Sequence, residues 1–355
     1  MRIGIYGAYG FSGQRIGKAL LAAGFRPLLA GRDPGKLSAL QSDWARDLQT
    51  LTVRPEDADE TDAMLSRLDL LIQTAGPYAL LPPAFSDRLA AWEGIVLDVC
   101  GEYSVVEDLA RRVETRPQGW RGLRVPACGF ESFPALWLAE IVLDGGWPAT
   151  RVHTYYSHTD SRFSPGTRAS ARVISGEPKR VFSGGALRLA AKEEWVLTSP
   201  IPAGFPGKAA LLSPLPEIVL LPRRYGIADC GSYALVPEGA ARFLDTGGGE
   251  ASPQSVPSRR PRTVPGPEEC ARHEFTVVLM AWDAGENLRW VKLNGRDPYA
   301  TSFWLVRRLV ETLARMESRP TGLRTPEQIL PAGTGLREAA DEIGFDLELG
   351  EGVCD

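Results

Sequence analysis

The sequence predicts an α/β protein with a doubly wound parallel sheet followed by a second, mixed α/β substrate domain. Three observations support this prediction: the first 130 residues alternate short apolar runs with amphipathic helical stretches, a glycine-rich loop directly follows the first apolar run, and the pattern changes after residue 130. Strands that alternate with helices form a parallel sheet covered by helices. The length of 355 residues also suits two domains.

Six short apolar runs are predicted as the strands of the first domain. They lie near residues 2–6, 27–30, 49–53, 68–73, 95–99 and 123–127. Six is the strand count of a complete doubly wound sheet. Between the first two runs, Ile16, Leu20 and Ala23 recur at helical spacing, and Gly24 follows as a stop signal. These segments therefore form a strand–helix–strand unit.

A different pattern begins after the sixth run. A stretch near residues 133–143 is apolar on nearly all sides, which indicates a buried helix. The chain from 151 to 293 is richer in strand and turn signals, and it includes a hairpin formed by Glu274 to Trp282 and Asn287 to Leu293. Helical periodicity returns over 298–316. These features predict a second sheet, mixed or antiparallel, and a closing helix.

The predicted boundaries divide the chain into three parts. Residues 1–130 form a nucleotide-binding domain, 131–295 form the inserted substrate domain, and the helices of 296–355 pack back on the first domain. Residues 247–267, rich in glycine and proline, are predicted to be a mobile loop.

Charge and cysteine content exclude several classes of protein. Lys and Arg total 40 against 44 Asp and Glu, so we expect no nucleic-acid or anionic-membrane surface. The apolar runs are too short to span a bilayer, and the opening residues show no leader, so a cytoplasmic location is expected. The five cysteines are odd in number and lack Cys-x-x-Cys spacing, which predicts free thiols and no metal site.

The glycine-rich loop carries the strongest functional signal. Gly7, Gly10 and Gly13 have GxxGxxG spacing and lie between a strand and a helix. Such glycines permit a tight turn, close approach of the backbone to a pyrophosphate, and close helix–strand packing. The sequence therefore predicts a dinucleotide-binding (Rossmann) loop that includes Tyr9, Phe11 and Ser12.

The end of the second strand distinguishes NADP from NAD. Arg32 lies 19 residues beyond Gly13, where a guanidinium accommodates a 2′-phosphate and a carboxylate would bind the ribose hydroxyls. Lys36 adds a second cation. Asp33 is either a ribose ligand or the cap of the helix that begins at Pro34, and the cap is the preferred interpretation. The prediction is NADP.

Three further strand ends carry glycines beside polar residues. The fourth is followed by Ala75, Gly76, Pro77 and Tyr78, the fifth by Glu102, and the sixth by Glu131. Ala75, Gly76 and Pro77 are predicted to contact the cofactor, since ligands bind at the carboxyl ends of parallel strands. Tyr78 and Glu102 are the candidate proton donors. A packing role for Tyr78 and a helix-cap role for Glu102 are the alternatives.

The sequence resembles the saccharopine dehydrogenase-like oxidoreductases, in particular the branch of trans-acting enoyl reductases. The matching segments are 7–13, 29–32, 75–78, 97–102, 126–130 and 295–299. The resemblance implies an NADP-binding domain, an inserted domain that supplies the substrate cleft, and hydride transfer to an imine or an activated C=C bond. Glu131 stands where the family more often has aspartate.

Two alternatives to a free-standing NADPH-dependent reductase of a small molecule stay open. One is a non-catalytic dinucleotide sensor or scaffold, and the other is a reductase that acts only on carrier-bound substrates. Arg168 and Glu131 are the candidate substrate residues, Arg168 because a guanidinium binds carboxylates in a bidentate manner. A homodimer formed through the second domain also stays open.

Overall fold

The computed structural model describes residues 1–159, 161–245 and 264–352. Most of the predicted mobile loop at 247–267 lies outside these residues. The chain separates into two units: one comprises Met1–Phe130 and Tyr299–Leu330, and the other comprises Glu131–Pro298 and Pro331–Asp355.

The strands and helices are numbered along the chain. The strands are β1 (Ile3–Tyr6), β2 (Leu28–Gly31), β3 (Thr50–Thr52), β4 (Leu70–Gln73), β5 (Ile95–Asp98), β6 (Leu123–Val125), β7 (Ala149–Thr159), β8 (Arg180–Ser183), β9 (Ala186–Leu189), β10 (Val196–Leu197), β11 (Lys208–Leu212), β12 (Asp229–Pro237), β13 (Glu274–Asp283), β14 (Leu288–Arg296), β15 (Gly322–Leu323) and β16 (Asp346–Glu351). The helices are α1 (Phe11–Ala22), α2 (Pro34–Trp44), α3 (Ala58–Leu65), α4 (Pro83–Ala91), α5 (Tyr103–Glu114), α6 (Phe133–Val142), α7 (Pro165–Gly176), α8 (Glu217–Tyr225), α9 (Glu238–Asp245), α10 (Pro267–Ala271), α11 (Pro298–Arg315) and α12 (Ala332–Ile343).

The first unit contains a parallel sheet in the order β15-β6-β5-β4-β1-β2-β3. All six predicted strands are present in the doubly wound order, which confirms the predicted fold class. Strands β1, β2, β4 and β5 are buried along their whole length, as expected for a sheet covered on both faces. The order reverses between β1 and β4, which is the point where ligands bind in doubly wound sheets.

The second unit contains a mixed sheet whose main path is β10-β11-β12-β7-β13-β14-β16, with β8 and β9 attached to β12. The predicted hairpin is confirmed as β13 and β14. Successive residues on β7 point to opposite faces. Tyr155 joins an apolar cluster with Tyr233 and Met280, whereas Thr154 and Tyr156 bond to the buried Glu217.

The tail differs from the prediction. Residues 299–330 group with the first unit and contribute β15 to its sheet, but 331–355 group with the second unit. The reason is a strand that the sequence analysis did not identify: β16 pairs antiparallel with β14. The acidic residues Glu348 and Glu351 of β16 form ion pairs with Lys292 and Arg289 of β14.

Candidate functional site

The loop after β1 is tight because its glycines leave no room for side chains. Gly7 has a backbone φ of +85°, which favours glycine, and a Cβ there would lie 2.8 Å from the Ala75 nitrogen. A Cβ on Gly13 would lie 2.3 Å from the Gly7 carbonyl oxygen. The Gly10 N–H donates to the same oxygen over 2.8 Å. The loop therefore packs against both the start of α1 and the loop after β4.

Helix α1 begins at the end of this loop without a side-chain cap from any described residue, and its first turn, which contains Phe11 and Ser12, has no acidic side chain. The N–H groups of a helix N-terminus and the helix dipole together attract anions. A pyrophosphate fits this place because the glycine loop presents backbone where other residues would present Cβ atoms. The residues present therefore fit the phosphate groups of a dinucleotide.

The carboxyl end of β2 carries one aromatic and two basic side chains. The Tyr9 ring packs on Gly31, where an added Cβ would lie 2.6 Å from the ring. The Lys36 Nζ lies 5.4 Å from the Tyr9 ring centroid and 3.6 Å from Asp33 Oδ2. Arg32 is exposed and forms no ion pair with a described residue.

Asp33 caps α2, which is the preferred one of its two predicted roles. Its side chain accepts a hydrogen bond from the Lys36 N–H over 3.0 Å. This bond to the backbone lowers the pKa of Asp33. The Asp33 carboxylate is thus hydrogen-bonded to the N-terminus of α2. Arg32, the residue directly after β2, is exposed to solvent.

Polar side chains join the loop after β4 to the glycine loop. Thr74 Oγ1 donates to the Tyr6 carbonyl oxygen over 2.9 Å. The Gln73 side-chain amide makes two hydrogen bonds with the Ala75 backbone, of 2.9 and 2.7 Å. Ala75 therefore lies beside the glycine loop at the point where the strand order reverses, and Gly76 and Pro77 follow it in the chain.

The side chains of the two candidate proton donors, Tyr78 and Glu102, are hydrogen-bonded to backbone groups of neighbouring loops. The Tyr78 hydroxyl donates to the Gln73 carbonyl oxygen over 2.8 Å and accepts from the Val99 N–H over 3.2 Å. The buried Glu102 accepts from the N–H groups of Tyr78 and Ala79 over 2.9 and 2.7 Å. Glu102 makes no side-chain cap to α5, so the helix-cap interpretation is wrong. These contacts favour a positioning role for both residues.

Asp98, at the end of β5, is a site residue to which the sequence analysis assigned no role. Its Oδ1 accepts from the N–H groups of Cys100 and Ala127, each over 3.0 Å, and so joins the loops after β5 and β6. Burial raises the pKa of Asp98 to about 6. The sequence signal that could have identified Asp98 is its place as a charged residue at the end of the apolar run of the fifth strand. This carboxyl can exchange a proton near neutral pH.

The cysteines of the described residues are free and buried. Cys100 and Cys128 follow β5 and β6, and burial raises the pKa of Cys128 well above its ordinary value. A thiolate is thereby disfavoured at Cys128, so this residue packs as a small buried side chain.

The start of α11 forms part of the same unit. The Phe11 ring contacts the Tyr299 ring edge-on at a centroid distance of 4.8 Å. The Phe130 N–H donates to Ser302 Oγ over 2.8 Å. The segment around Tyr299, which the resemblance alone had singled out, thus contacts the glycine loop and the loop after β6.

The candidate substrate residues lie in or at the boundary of the second unit. Arg168 is in the first turn of α7, where its guanidinium donates to the Phe163 carbonyl oxygen over 2.5 Å. Burial raises the pKa of Glu131. His158 Nδ1 lies 2.9 Å from His273 Nε2, and the described residues contain no group of three metal-binding side chains.

No family model matches the chain. A probable mitochondrial saccharopine dehydrogenase-like oxidoreductase of Arabidopsis thaliana is 28% identical in an alignment of 146 residues, with a coverage of 37% of this chain and 32% of that relative. The chain therefore aligns with only 32% of the length of the curated relative that it matches.

Solved structures match over nearly the whole chain. Apo saccharopine dehydrogenase (L-Glu forming) of Saccharomyces cerevisiae aligns with a TM-score of 0.61 and 14% identity, covering 99% of this chain and 100% of that chain. This chain has the saccharopine dehydrogenase fold. Homospermidine synthase of Legionella pneumophila, solved in complex with NAD, aligns with a TM-score of 0.61 and 12% identity, covering 99% of this chain and 91% of that chain.

The fold and the Arabidopsis alignment support the resemblance to saccharopine dehydrogenase-like oxidoreductases. The enoyl reductase branch stays a prediction. None of the described helices is long and apolar enough to cross a membrane. The cytoplasmic location also stays a prediction, since the Arabidopsis relative is named mitochondrial.

Proposed function

We propose that this protein is an NADPH-dependent oxidoreductase that reduces an imine or an activated C=C bond of a small metabolite or biosynthetic intermediate. The observation that carries the proposal is the glycine loop before α1 together with Arg32 at the end of β2. In this fold, a pyrophosphate bound at the glycine loop places the adenosine ribose near the end of the second strand. There an arginine binds a phosphate with directed, charge-assisted hydrogen bonds.

The cofactor supplies the hydride when it is bound, and the protein supplies binding, orientation and a proton. Gly7, Gly10 and Gly13 would hold the pyrophosphate of the bound cofactor. Glu102 anchors the turn after Pro77, so that the loop after β4 keeps a fixed position beside the cofactor site. Asp98 bonds to backbone as Tyr78 and Glu102 do, and burial holds its pKa at about 6, so it joins these two residues as a candidate source of the proton.

The substrate is assigned to the second unit. Glu131 and Arg168 are proposed to contact it, Arg168 because a guanidinium binds a carboxylate in a bidentate manner. A homodimer through this unit stays a proposal, which measurement of the molar mass in solution tests.

Charge reversal at Arg32 tests the cofactor assignment. Arg32→Glu should weaken NADPH binding about a hundredfold and change NADH binding less than about threefold, because only the 2′-phosphate is repelled. Titration calorimetry measures both dissociation constants. The matched control is Arg67→Glu, which should leave both constants unchanged. Arg67 is an exposed arginine that precedes β4, so it lies toward the amino ends of the strands, away from the proposed cofactor site. Equal losses of NADPH and NADH affinity would contradict the preference for NADP.

Turnover separates the proposed activity from its alternatives. Oxidation of NADPH should be observed with some member of a panel of imines and enones, offered both free and linked to a carrier. Reaction of the linked forms alone would indicate a carrier-dependent reductase. Tight NADPH binding without turnover across the whole panel would indicate a sensor and contradict the enzymatic proposal.

A further inference from the structure

Tyr9 lies in the glycine loop, between Gly7 and Gly10, and its ring faces the end of β2. The carbonyl oxygen of Tyr9 accepts a hydrogen bond from the Gln14 side chain over 2.9 Å, which fixes the backbone of this part of the glycine loop. From there the Tyr9 ring reaches across to β2 and packs on Gly31, so that a Cβ at Gly31 would lie 2.6 Å from the ring. A residue larger than glycine at position 31 would displace the ring.

The Lys36 ammonium lies over this ring, and further charged residues follow β2. Asp33, fixed as the cap of α2, lies 3.6 Å from the Lys36 Nζ, and the Lys36 ammonium in turn lies 5.4 Å from the centre of the Tyr9 ring. Arg32 leaves β2 directly after Gly31 and is exposed. An aromatic ring, a hydroxyl and two cations therefore converge on the end of β2.

The pKa of the buried Tyr6 hydroxyl shows which charged and polar groups lie near it. Its pKa is raised above the ordinary value, first by burial and then by the nearby Tyr9 and Glu56, and the Arg32 charge opposes this effect. Tyr9, Arg32 and Glu56 therefore all lie close enough to the Tyr6 hydroxyl to act on it electrostatically. Glu56 is an exposed carboxylate, and it would repel a phosphate bound in this neighbourhood.

We propose that Tyr9 is a specificity-determining residue: its ring forms the surface on which the adenosine ribose rests, and its hydroxyl binds the 2′-phosphate together with Arg32 and Lys36. This inference rests on the proposed function. A phenol hydroxyl donates to a phosphate oxygen, a guanidinium adds directed hydrogen bonds, and an ammonium adds a point charge. Gly31 is required because it lets the ring lie against the strand.

Binding of nucleotide fragments to the full chain tests the proposal without any need for turnover. The probes are adenosine 2′,5′-bisphosphate and adenosine 5′-monophosphate, which differ in the 2′-phosphate. Tyr9→Phe should weaken the bisphosphate about tenfold and the monophosphate less than twofold, since it removes a charge-assisted hydrogen bond and retains the ring. Calorimetry measures both constants.

Further variants test the neighbouring groups. Lys36→Gln should weaken the bisphosphate about fivefold, and Glu56→Gln should strengthen it about threefold. Lys18→Gln, an exposed lysine two turns into α1, should change neither constant. Gly31→Ala should reduce the preference for the bisphosphate as Tyr9→Phe does, because the added Cβ displaces the ring. The midpoint of thermal unfolding confirms that each variant is folded.

The results separate this inference from the function on which it rests. If the wild-type chain binds neither fragment and neither NADPH nor NADH, both proposals are overturned. If it prefers the bisphosphate but Tyr9→Phe weakens both fragments equally, or neither of them, the proposal for Tyr9 alone is overturned. A tenfold loss confined to the bisphosphate supports it.

Discussion

Glycines in this chain differ sharply in what surrounds them. A Cβ at Gly13 would lie 2.3 Å from a backbone oxygen that cannot move without opening the loop after β1. A Cβ at Gly333, inside α12, would meet nothing within 4 Å. The first glycine is required by close packing of backbone on backbone, whereas the second is replaceable.

Gly13→Ala should therefore destabilise the first unit and remove nucleotide binding. We expect a loss of about 2 kcal/mol in the free energy of unfolding, because the added methyl group overpacks the loop. Urea denaturation and NADPH titration measure the two effects. The control, Gly333→Ala, should raise stability by up to about 1 kcal/mol through its helix propensity. Unchanged nucleotide affinity in Gly13→Ala would show that the loop does not hold the cofactor.

Arg124 is a charged residue buried in β6, between the apolar residues Leu123 and Val125. Its side chain is buried and donates to the carbonyl oxygens of Gly94 and Leu123 over 2.7 and 2.8 Å, and to that of Trp92 at the end of α4. Carbonyl groups at a helix C-terminus favour a cation. Two of these acceptors lie about thirty residues earlier in the chain, and the Arg124 Nε is buried without a hydrogen-bond partner among the described residues.

The loops at the carboxyl edge of the first sheet are held by side chains from neighbouring loops. Glu102, in the loop after β5, bonds to the turn after β4, and Asp98 bonds to the loop after β6. Thr74 bonds back to the end of β1. Because each loop is anchored by the next one, a change in one of them should alter the position of the others.

Glu102→Gln distinguishes a positioning role from a catalytic one. The variant replaces one of two accepting oxygens by a donor that faces a backbone N–H, so we expect a loss of about 1–3 kcal/mol in unfolding free energy and weaker NADPH binding. Glu93→Gln, an exposed residue before β5, should stay within about 0.5 kcal/mol of wild type. Loss of turnover with unchanged stability and affinity would instead identify Glu102 as the proton donor.

Across the whole chain, buried titratable groups impose opposite pH dependences on stability. Glu217 lies buried in the second unit, where the hydroxyls of Ser132, Thr154, Tyr156 and Ser232 donate to it over 2.8–3.1 Å. Burial raises the pKa of Glu217 to about 7. Burial lowers the pKa of His153 to about 4 and that of His158 to about 3.

The sign of the Glu217 contribution follows from its raised pKa. Folding favours the protonated form, so the stabilisation is complete below about pH 4.3, the pKa of glutamate in an unfolded chain, and is lost as pH rises to about 7. The histidines act in the opposite direction, because the unfolded chain binds more protons than the folded one between their lowered pKa values and about 6.5.

Glu217→Gln isolates this contribution. The amide does not titrate, so the unfolding free energy of wild type minus that of the variant should fall by on the order of 2 kcal/mol between pH 4.5 and pH 7. The histidine contributions cancel in this difference. Denaturant titrations at several pH values measure it, with the exposed Glu193→Gln as the control. A difference that is independent of pH would contradict the raised pKa.

The sequence by itself determined the six strands of the first sheet, the glycine loop and the position of Arg32, because these depend on local periodicity and on backbone conformations near in sequence. Only the tertiary structure decided the partners of Glu102 and Arg124 and the pairing of β16 with β14. Those contacts join residues that are distant along the chain. Their hydrogen bonds and burial exist only once the strands are paired, and the spacing of residues along the sequence does not identify partners so far apart.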